Sequence, residues 1–286
     1  MSEEHDARAS MIRSVLHPTD FSGSSELAFA HALKIALAGK SKLHVLHAGA
    51  ADEDDIDWSA FPRVRRTLAR WGVLAEGSAP GDVGAKLGMH LAKISSRERD
   101  PVRAIVGFAD DHKSDLIVLA TRGRDGLPRW LHGSVAEPAA RKADIPTLFL
   151  QPESSGFVDA DSGALRLRNI LIPIDHRPRP HAAVRAAEQL CRTLAAREVT
   201  QHLLYVGEQG DMPAVAIEGD TPFKLTRSAR SGNVLDEILA AAVECQANLI
   251  AMATAGHQGF LDALRGSTTE RVLRHARCPV LAVPAD

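Results

Sequence analysis

The sequence has little cysteine, no excess of charge of one sign and no long apolar run. Its three cysteines are odd in number and lack metal-type spacing, so we interpret them as buried, reduced thiols of a cytosolic protein. No apolar stretch approaches the ~20 residues of a membrane span, and the polar start MSEEHDARAS is unlike a signal peptide. A net charge of -2 provides no basic field for nucleic acid or anionic lipid. We therefore expect a cytoplasmic protein without nucleic-acid or membrane partners.

Motifs of fast chemistry are also missing. The sequence has no Walker lysine motif, which argues against P-loop hydrolysis. It also lacks the His-x-Gly-His and Lys-Met-Ser-Lys-Ser signatures of adenylyl-transferring synthetases and the Ser-Gly-Gly-x-Asp-Ser loop of ATP pyrophosphatases. His44 and His47 lie three apart in a predicted strand, so they face opposite sides and cannot share a metal. We predict no catalytic residue and no metal ligand.

The most informative feature is an internal repeat. The pattern Ala120-Thr-Arg-Gly123, nine residues, Gly133-Ser134 recurs as Ala253-Thr-Ala-Gly256, nine residues, Gly266-Ser267. The match continues from Glu137 to Glu270 and from Arg141 to Arg274, at an offset of 133. A repeat of this length indicates two copies of one domain. We predict a first domain at 9–151, a linker at 152–165 and a second domain at 166–286.

Apolar runs alternate with helical patterns in both halves, which predicts an α/β fold with a parallel sheet. The run Leu116–Ala120 is apolar throughout, as in a strand covered on both faces. Further predictions are a helix over 59–70, a helix after Asp100 and capping of an early helix by Ser22 to Ser25. The first half is 22 residues longer between Asp20 and Gly123 than the second is between Asp175 and Gly256, and we place much of this excess after the second strand. Trp58, Trp71 and Trp130 are interpreted as packing residues.

Each glycine loop leaves an apolar strand and ends at a predicted helix, where Ser134-x-x-Glu137 and Ser267-x-x-Glu270 fit a capping box. Free N–H groups at a helix N-terminus bind anions, and glycine lets a phosphate approach the backbone. Asp20 and Asp175 end the first strand of each half, at the same sheet edge, where a carboxylate can accept from a ribose hydroxyl or an adenine amino group. A turn and cap without a ligand is the alternative.

These residues resemble the universal stress protein family along nearly the whole chain, as two tandem domains. The signature of glycine, two residues, glycine, nine residues and glycine-serine is specific after Asp115-Leu-Ile-Val118, and Asn248-Leu-Ile-Ala251 precedes its second copy. In both copies alanine, Ala120 and Ala253, stands where the signature has its first glycine. The resemblance implies two doubly wound, Rossmann-like domains, each with a five-stranded parallel sheet in the order 3-2-1-4-5 flanked by helices. It also implies ATP or another adenine nucleotide, with or without Mg²⁺. It further implies that Thr147–Leu150 and Val280–Val283 pair as the seam of an intrachain pseudo-dimer. The sequence leaves open whether a homodimer forms and does not identify a protein partner.

The resemblance assigns cofactor-binding residues by motif. The first site would use Pro18, Thr19, Asp20, Ala48, Leu119, Ala120, Gly123, Gly133, Ser134 and Val135. The second would use Pro173, Ile174, Asp175, Val206, Met252, Ala253, Gly256, Gly266, Ser267 and Thr268.

The two copies depart from the pattern in different ways. After Asp175 the sequence reads His176-Arg-Pro-Arg-Pro180, which either crowds the second site or offers Arg177 and Arg179 to phosphates. The loop from Ala120 to Ser134 carries +2 and the loop from Ala253 to Ser267 carries 0, so we predict tighter nucleotide binding in the first half.

Three functions remain open at this point. The first is a nucleotide-binding regulatory protein without fast catalysis. The second is a weak Mg²⁺-dependent ATPase or autophosphorylating protein with Ser134, Ser267 and Thr268 as acceptors. The third is a scaffold of the same fold that binds no nucleotide. The sequence encodes neither the triggering stress nor a pathway.

Overall fold

The computed structural model describes residues 11–49, 56–121, 135–215, 223–254 and 268–285. Strands and helices alternate in both halves, as the apolar periodicity predicts. The strands are β1 Ser14–Pro18, β2 Lys42–Ala48, β3 His90–Ser96, β4 Leu116–Ala120, β5 Thr147–Leu150, β6 Asn169–Ile174, β7 Thr200–Val206, β8 Lys224–Arg230, β9 Leu249–Thr254 and β10 Val280–Pro284. The helices are α1 Gly23–Gly39, α2 Val64–Arg70, α3 Asp82–Leu87, α4 Pro101–Asp111, α5 Ala136–Ala143, α6 His181–Thr193, α7 Val234–Glu244 and α8 Thr268–His275.

The strands form one ten-stranded sheet in the order β3-β2-β1-β4-β5-β10-β9-β6-β7-β8. Neighbours within each half are parallel, and the two halves meet where β5 and β10 pair antiparallel, with Leu148 opposite Leu281. The predicted α/β class with helices on a mostly parallel sheet is confirmed, and so is the pairing of the last strands. Pairing these two edges removes a pair of exposed strand edges from the molecule. The domain boundaries at 9–151 and 166–286 stay a prediction.

The central strands are covered on both faces, as their continuous apolar sequence predicts. In β4, Leu116 and Val118 belong to one buried cluster, while Ile117 and Leu119 belong to the other. The larger cluster spans both halves, because α1 and α6 pack on the same face of the sheet. The seam is therefore part of a continuous apolar core.

The prediction of a helix over 59–70 is wrong at its start. Residues Trp58–Ala60 form a short 3₁₀ turn, and α2 begins only at Val64. Proline disfavours helical backbone in the residue before it, and Phe61, which precedes Pro62, is extended at φ -86° and ψ 144°. Asp100 caps α4 as predicted, since its side chain accepts from the N–H groups of Val102 and Arg103.

The capping prediction for Ser22 to Ser25 is also wrong in its mechanism. Ser22 is the N-cap residue of α1, yet its side chain makes no cap hydrogen bond. Its hydroxyl donates to Asp20 Oδ1 at 2.7 Å, and the Ser25 hydroxyl contacts Thr19 Oγ1 at 2.9 Å. These hydroxyls hold the end of β1 instead of the first turn of the helix.

The segment 152–165, expected as a linker, packs closely on the first half. Phe157 and Val158 are buried, and their N–H groups donate to Nε2 of His31 at 3.0 and 3.1 Å. Further along, the Ala160 carbonyl accepts from the Trp71 indole at 3.0 Å. The connection between the halves is thus fixed by specific contacts to α1 and α2.

Two repeated sequence features have structural roles. Asp115 Oδ2 accepts from the N–H groups of Arg13 and Ser14 at 2.8 and 2.9 Å. Asn248 Oδ1 does the same for residues 168 and 169 at 2.8 and 3.0 Å. The carboxylate and the amide each tie the strand before the glycine loop to the start of the neighbouring strand, because either oxygen can accept two N–H groups.

The remaining packing predictions hold within the described residues except for the burial of Cys245. Trp58 and Trp71 pack against the core, whereas Trp130 lies outside those residues. All three thiols are free; Cys191 and Cys278 are buried, but Cys245 is only half-buried. Burial raises the pKa of Cys191 and of Cys278 to about 12, which makes both thiols unreactive. Among the described helices, none has the length and apolar character needed to span a membrane.

Candidate functional site

The candidate site of the first half lies where the order of strands reverses. β1 pairs with β2 on one side and with β4 on the other, so the chain connections leave this point in opposite directions. A crevice outside the carboxyl ends of such strands is where open α/β sheets bind ligands. Apart from Val135, the described residues predicted for this site lie at these ends: Pro18 at the end of β1 with Thr19 and Asp20 after it, Ala48 at the end of β2, and Leu119 and Ala120 at the end of β4.

The second half repeats this arrangement. β6 lies between β7 and β9, and its end carries Asp175 in the place of Asp20. The other described residues predicted for this site are again at strand ends or at a helix start: Pro173 and Ile174 on β6, Val206 on β7, Met252 and Ala253 on β9, and Thr268 as the first residue of α8. The structure brings both predicted sets together, and their binding role stays a prediction.

The glycine loops themselves fall outside the described residues. This applies to Gly123, Gly133 and Ser134 in the first half and to Gly256, Gly266 and Ser267 in the second, and with them to both capping boxes. Val135 comes directly before α5, and Thr268 opens α8, so each loop leads from the site to a helix N-terminus. Free N–H groups and the positive end of a helix dipole favour an anion there.

The acid in the first turn of each of these helices has a cationic partner. Glu137 is paired with Arg141, and Glu270 is paired with Arg274, both four residues on. These are the repeated Glu and Arg positions of the sequence. The arginines offset carboxylates that would otherwise repel a phosphate at the helix N-terminus.

Beneath the first site, the end of β1 is fixed by a buried polar network. His17 is fully buried, with Nδ1 3.0 Å from the Val118 carbonyl and Nε2 3.3 Å from the Ser25 hydroxyl. That hydroxyl contacts Thr19 Oγ1, which accepts from the Phe21 N–H at 3.1 Å. Burial lowers the pKa of His17 to about 4, so the imidazole is neutral at pH 7. It joins β4 to β1 and positions the chain that carries Asp20.

Asp20 is held by the residue that opens α1. Its Oδ1 accepts from both the backbone N–H of Ser22 at 3.2 Å and the Ser22 hydroxyl. Asp175 makes a different local contact, because its Oδ1 accepts from the N–H of His176 at 2.7 Å. Asp20 is half-buried and Asp175 is exposed, so the carboxylate of the first half is the more restrained of the two.

A pair of rings flanks the first candidate site on the β2 side, and sequence reasoning missed it. Phe21 stacks on His47, with ring centroids 4.4 Å apart and planes 17° apart. The His47 Nδ1 lies 2.9 Å from the Thr19 carbonyl, which fixes the ring at the strand end. Phe21 adopts φ +60° directly after Asp20, and its ring lies on the β2 residue His47. Trp58 meets Phe21 edge to face at 5.4 Å.

The second half has a related pair at the matching positions. His176 meets Tyr205 at 6.1 Å with nearly perpendicular planes, and His176 Nε2 lies 2.8 Å from the Asp211 carbonyl. His176 is therefore turned toward the β7 side of the site. Arg177 and Arg179 are exposed. The two alternatives for this segment, crowding of the second site or contacts to phosphates, both stay predictions.

The two sites face opposite ways. Strands β1, β4 and β5 run parallel, β10 runs antiparallel to β5, and β9 and β6 run parallel to β10. The carboxyl edges of the two halves therefore lie on opposite edges of the sheet. Each site is built from its own half, and one ligand cannot bridge both.

The described residues do not form a metal centre: no group of three or more His, Cys, Asp or Glu side chains is placed to hold an ion. His17 is neutral and enclosed at the site floor, so it cannot serve as an exposed base. The described part of the first site presents a restrained carboxylate, aromatic rings and a helix N-terminus.

Together, the switch points and the antiparallel seam define a tandem of doubly wound α/β halves, each with one switch point at the carboxyl ends of its strands. A sequence model described as the universal stress protein family matches residues 11–151 and 215–284. The chain belongs to the universal stress protein family. The matched ranges leave out 152–214, which contains β6, α6 and β7.

Relatives agree with this assignment. A universal stress protein of Methanocaldococcus jannaschii is 30% identical over 158 residues, which is 49% of this chain and 83% of the relative. The structure of a universal stress protein from Archaeoglobus fulgidus matches with a TM-score of 0.62 at 20% identity, covering 95% of this chain and 98% of that one. A protein of unknown function from Pseudomonas aeruginosa matches with a TM-score of 0.58 at 18% identity, covering 99% of this chain and 95% of that one. At these identities the two structures show the fold alone.

Proposed function

We propose that this chain is a cytoplasmic, stress-response regulatory protein that binds ATP or another adenine nucleotide, with or without Mg²⁺, and has no fast catalytic activity. The observation that carries the proposal is the duplicated switch point. In each half a carboxylate ends the first strand, beside the strand from which a glycine-rich loop leads to a helix N-terminus. Family membership supports the same function.

The proposed roles follow from the chemistry at each position. The phosphates would lie against the glycine loops and the N-termini of α5 and α8, where free N–H groups favour negative charge. The ribose hydroxyls would donate to Asp20 or Asp175, since a carboxylate only accepts. The base would lie toward Ala48 or Val206, beside the Phe21–His47 and His176–Tyr205 pairs. Nucleotide occupancy would then act by favouring the conformation that binds it best.

Calorimetric titration with ATP tests the binding. We expect Asp20→Asn and Asp175→Asn each to weaken one site by about tenfold, since a hydrogen bond to a charged group contributes about 1.5–3 kcal/mol. Asp110→Asn is the matched control, because Asp110 is exposed on α4 and pairs with Lys113, three residues on. Because the sites are on opposite edges, each variant should leave the other site unchanged.

The order of the two sites is tested with Gly133→Asp and Gly266→Asp, which place a carboxylate where a phosphate is proposed. We expect the greater loss of affinity from Gly133→Asp, because the first loop carries the more positive charge. A greater loss from Gly266→Asp would refute the order.

The alternatives have separate tests. Incubation with γ-labelled ATP detects hydrolysis, or label on Ser134, Ser267 or Thr268, and so distinguishes the weak-enzyme function. The scaffold function requires protein that purifies without adenine nucleotide and whose melting temperature and amide NMR spectrum do not respond to millimolar ATP. That result would overturn the nucleotide proposal.

A further inference from the structure

A basic groove lies on the first half, and its Lys93 ammonium lies 5.1 and 5.0 Å from the rings of Trp58 and Phe61. It has a volume of about 1230 Å³ and runs between α2, α3 and the edge strand β3. Its charged lining consists of Arg63, Arg65, Arg66, Arg70 and Lys93, with Glu76 as the one acid among the lining residues and His90 beside them. The chain as a whole has a net charge of -2, so this concentration of cations is local. Such a concentration favours an anionic partner.

The groove is built by the segment that makes the first half longer. Between β2 and β3 the chain has 41 residues (49–89), whereas between β7 and β8 it has 17 (207–223). The longer connection supplies α2, α3 and all four arginines of the groove. The extra residues that the sequence places after the second strand therefore form the walls of this groove.

The arginines are only partly used within the molecule. Arg65 donates to the Ser78 carbonyl at 2.6 Å, and Arg70 donates to the Ala160 carbonyl at 3.0 Å and pairs with Asp161. Among the described residues, Arg63 and Arg66 have no acidic partner; both are exposed, Arg63 directly before α2 and Arg66 on it. A guanidinium pairs with a carboxylate through two parallel hydrogen bonds, so these two side chains are suited to acidic groups from outside.

The groove also reaches a free strand edge. β3 ends the sheet and pairs only with β2 among the described strands. The His90 N–H donates to the Ser41 carbonyl, so in this parallel ladder the N–H and C=O groups of Leu91 and Lys93 point away from β2. An extended peptide can pair with such an edge through its own backbone.

Apolar residues also line the groove. Val64, Val83, Met89 and Leu91 lie among the lining residues, between the charged side chains. Side chains of an added strand alternate between its two faces, which suits a segment that alternates acidic and apolar residues. The volume also exceeds the 300–1,000 Å³ typical of small-molecule pockets. These features favour a peptide over a free phosphate compound.

We propose that this groove binds an extended acidic peptide segment of a protein partner, which adds as a strand to β3 while its carboxylates pair with Arg63 and Arg66. The proposal does not depend on nucleotide binding by the strand-end sites. It assigns a partner surface to the first half alone.

The probe is a fluorescein-labelled, eight-residue peptide of alternating aspartate and valine, titrated with the full chain and followed by anisotropy. We expect the double variant Arg63→Glu, Arg66→Glu to weaken binding at least tenfold and added salt to weaken it further. The matched control is Arg197→Glu, Arg277→Glu, which makes the same change in net charge at two exposed arginines of the second half. Circular dichroism and melting temperature verify that both variants fold.

Strand addition is tested with the same peptide carrying N-methyl groups at alternate residues, which removes backbone donors and keeps the charge. We expect this peptide to lose at least tenfold in affinity. A peptide with lysine in place of aspartate should not bind. The titration is repeated with a variant that combines Asp52→Asn, Glu53→Gln, Asp54→Asn and Asp55→Asn. In this variant the chain's own acidic run cannot compete with the peptide and hide its binding.

Several results would overturn the proposal. The first is absence of binding at millimolar peptide, both in the parent and in the variant with neutral residues at 52–55. The second is an equal loss of peptide affinity in the Arg63, Arg66 variant and in the Arg197, Arg277 control. The third is equal affinity for the N-methylated and the unmethylated peptide. Tighter, Arg63-dependent binding of inorganic tripolyphosphate or of an oligothymidylate would also do so, because the groove would then be a phosphate or nucleic-acid surface.

Discussion

The contact between His31 and the segment joining the halves yields a prediction that can be worked through in numbers. The ring is fully buried, and its Nδ1 lies 2.8 Å from the Leu27 carbonyl. Because a carbonyl only accepts, Nδ1 carries the proton and Nε2 is the acceptor for the N–H groups of Phe157 and Val158. Protonation of Nε2 would place its N–H against the N–H groups of Phe157 and Val158, so that three donors would face one another without an acceptor. Burial is the main cause that lowers the pKa of His31, to about 4.

The sign of the pH effect follows from this lowered pKa. Above pH 6.5 the imidazole is neutral in both the folded and the unfolded chain, and His31 contributes no pH dependence. Between pH 6.5 and 4 only the unfolded chain takes up the proton, so the free energy of unfolding falls as the pH falls. For one such histidine the loss from pH 7.5 to pH 5 is about 2 kcal/mol. His17 has the same direction and adds a similar loss.

Two variants separate acceptor loss from titration. His31→Gln keeps an oxygen acceptor near the position of Nε2 and removes the titrating group, so its loss of stability between pH 7.5 and 5 should be about 2 kcal/mol smaller than that of the parent. His31→Ala leaves two buried N–H groups without an acceptor, which costs about 1–3 kcal/mol for each at pH 7.5. His17→Gln is the control that removes an independent share of the pH dependence.

Urea unfolding at both pH values measures these differences. The contributions of the other titrating groups to the free energy of unfolding cancel when each variant is compared with the parent. The interpretation of His31 as a neutral acceptor would be refuted if His31→Gln showed the parent's pH dependence to within about 0.5 kcal/mol. It would also fail if His31→Ala were no less stable than His31→Gln at pH 7.5.

Two further predictions concern stability. Asp115→Ala should lower the free energy of unfolding by about 1 kcal/mol, whereas Asp115→Asn should lower it by less than half of that, since Asn248 performs the same role in the second half; equal losses in urea unfolding would contradict this. At the seam, Leu148→Ala and Leu281→Ala should each lower it by about 2–5 kcal/mol, because both side chains are buried opposite each other. A double-mutant cycle should give a coupling above about 0.5 kcal/mol, and additive losses would contradict the packing of the seam.

The central strands were predictable from sequence because they are short apolar runs with clear turns around them, whereas the edge strands β3 and β8 contain charged residues. Leu116–Ala120 and Thr147–Leu150 have the predicted bounds, and the repeat aligned the weaker strands of the second half with those of the first. The start of α2 was missed because Pro62 acts on the residue before it, a local effect that helical periodicity does not report. The role of His31 was out of reach, because it depends on residues more than 120 positions away.

The candidate site divides in the same way. Its strand-end residues were predictable because parallel strands bring their carboxyl ends to one edge. The ring pairs were not predicted, although the sequence contains a signal: Phe21 and His176 both follow the strand-end aspartate, and His47 and Tyr205 both lie three residues after a repeated histidine. Aromatic or imidazole side chains at both matching positions of a repeat indicate a shared contact. No spacing rule, however, gives the stacked geometry in one half and the perpendicular geometry in the other.

That difference between the halves gives a physical reason, beyond loop charge, for the two sites to be unequal. In the first half, Trp58 and Phe61 from the long β2–β3 connection pack edge to face against Phe21, at 5.4 and 6.2 Å. The described residues of the short β7–β8 connection form no ring contact with His176 or Tyr205. More apolar surface around the first carboxylate excludes water and strengthens the hydrogen bonds that Asp20 can accept. Loop charge and enclosure thus favour the same half. If Gly266→Asp nevertheless caused the greater loss of ATP affinity, neither effect could govern the order of the two sites.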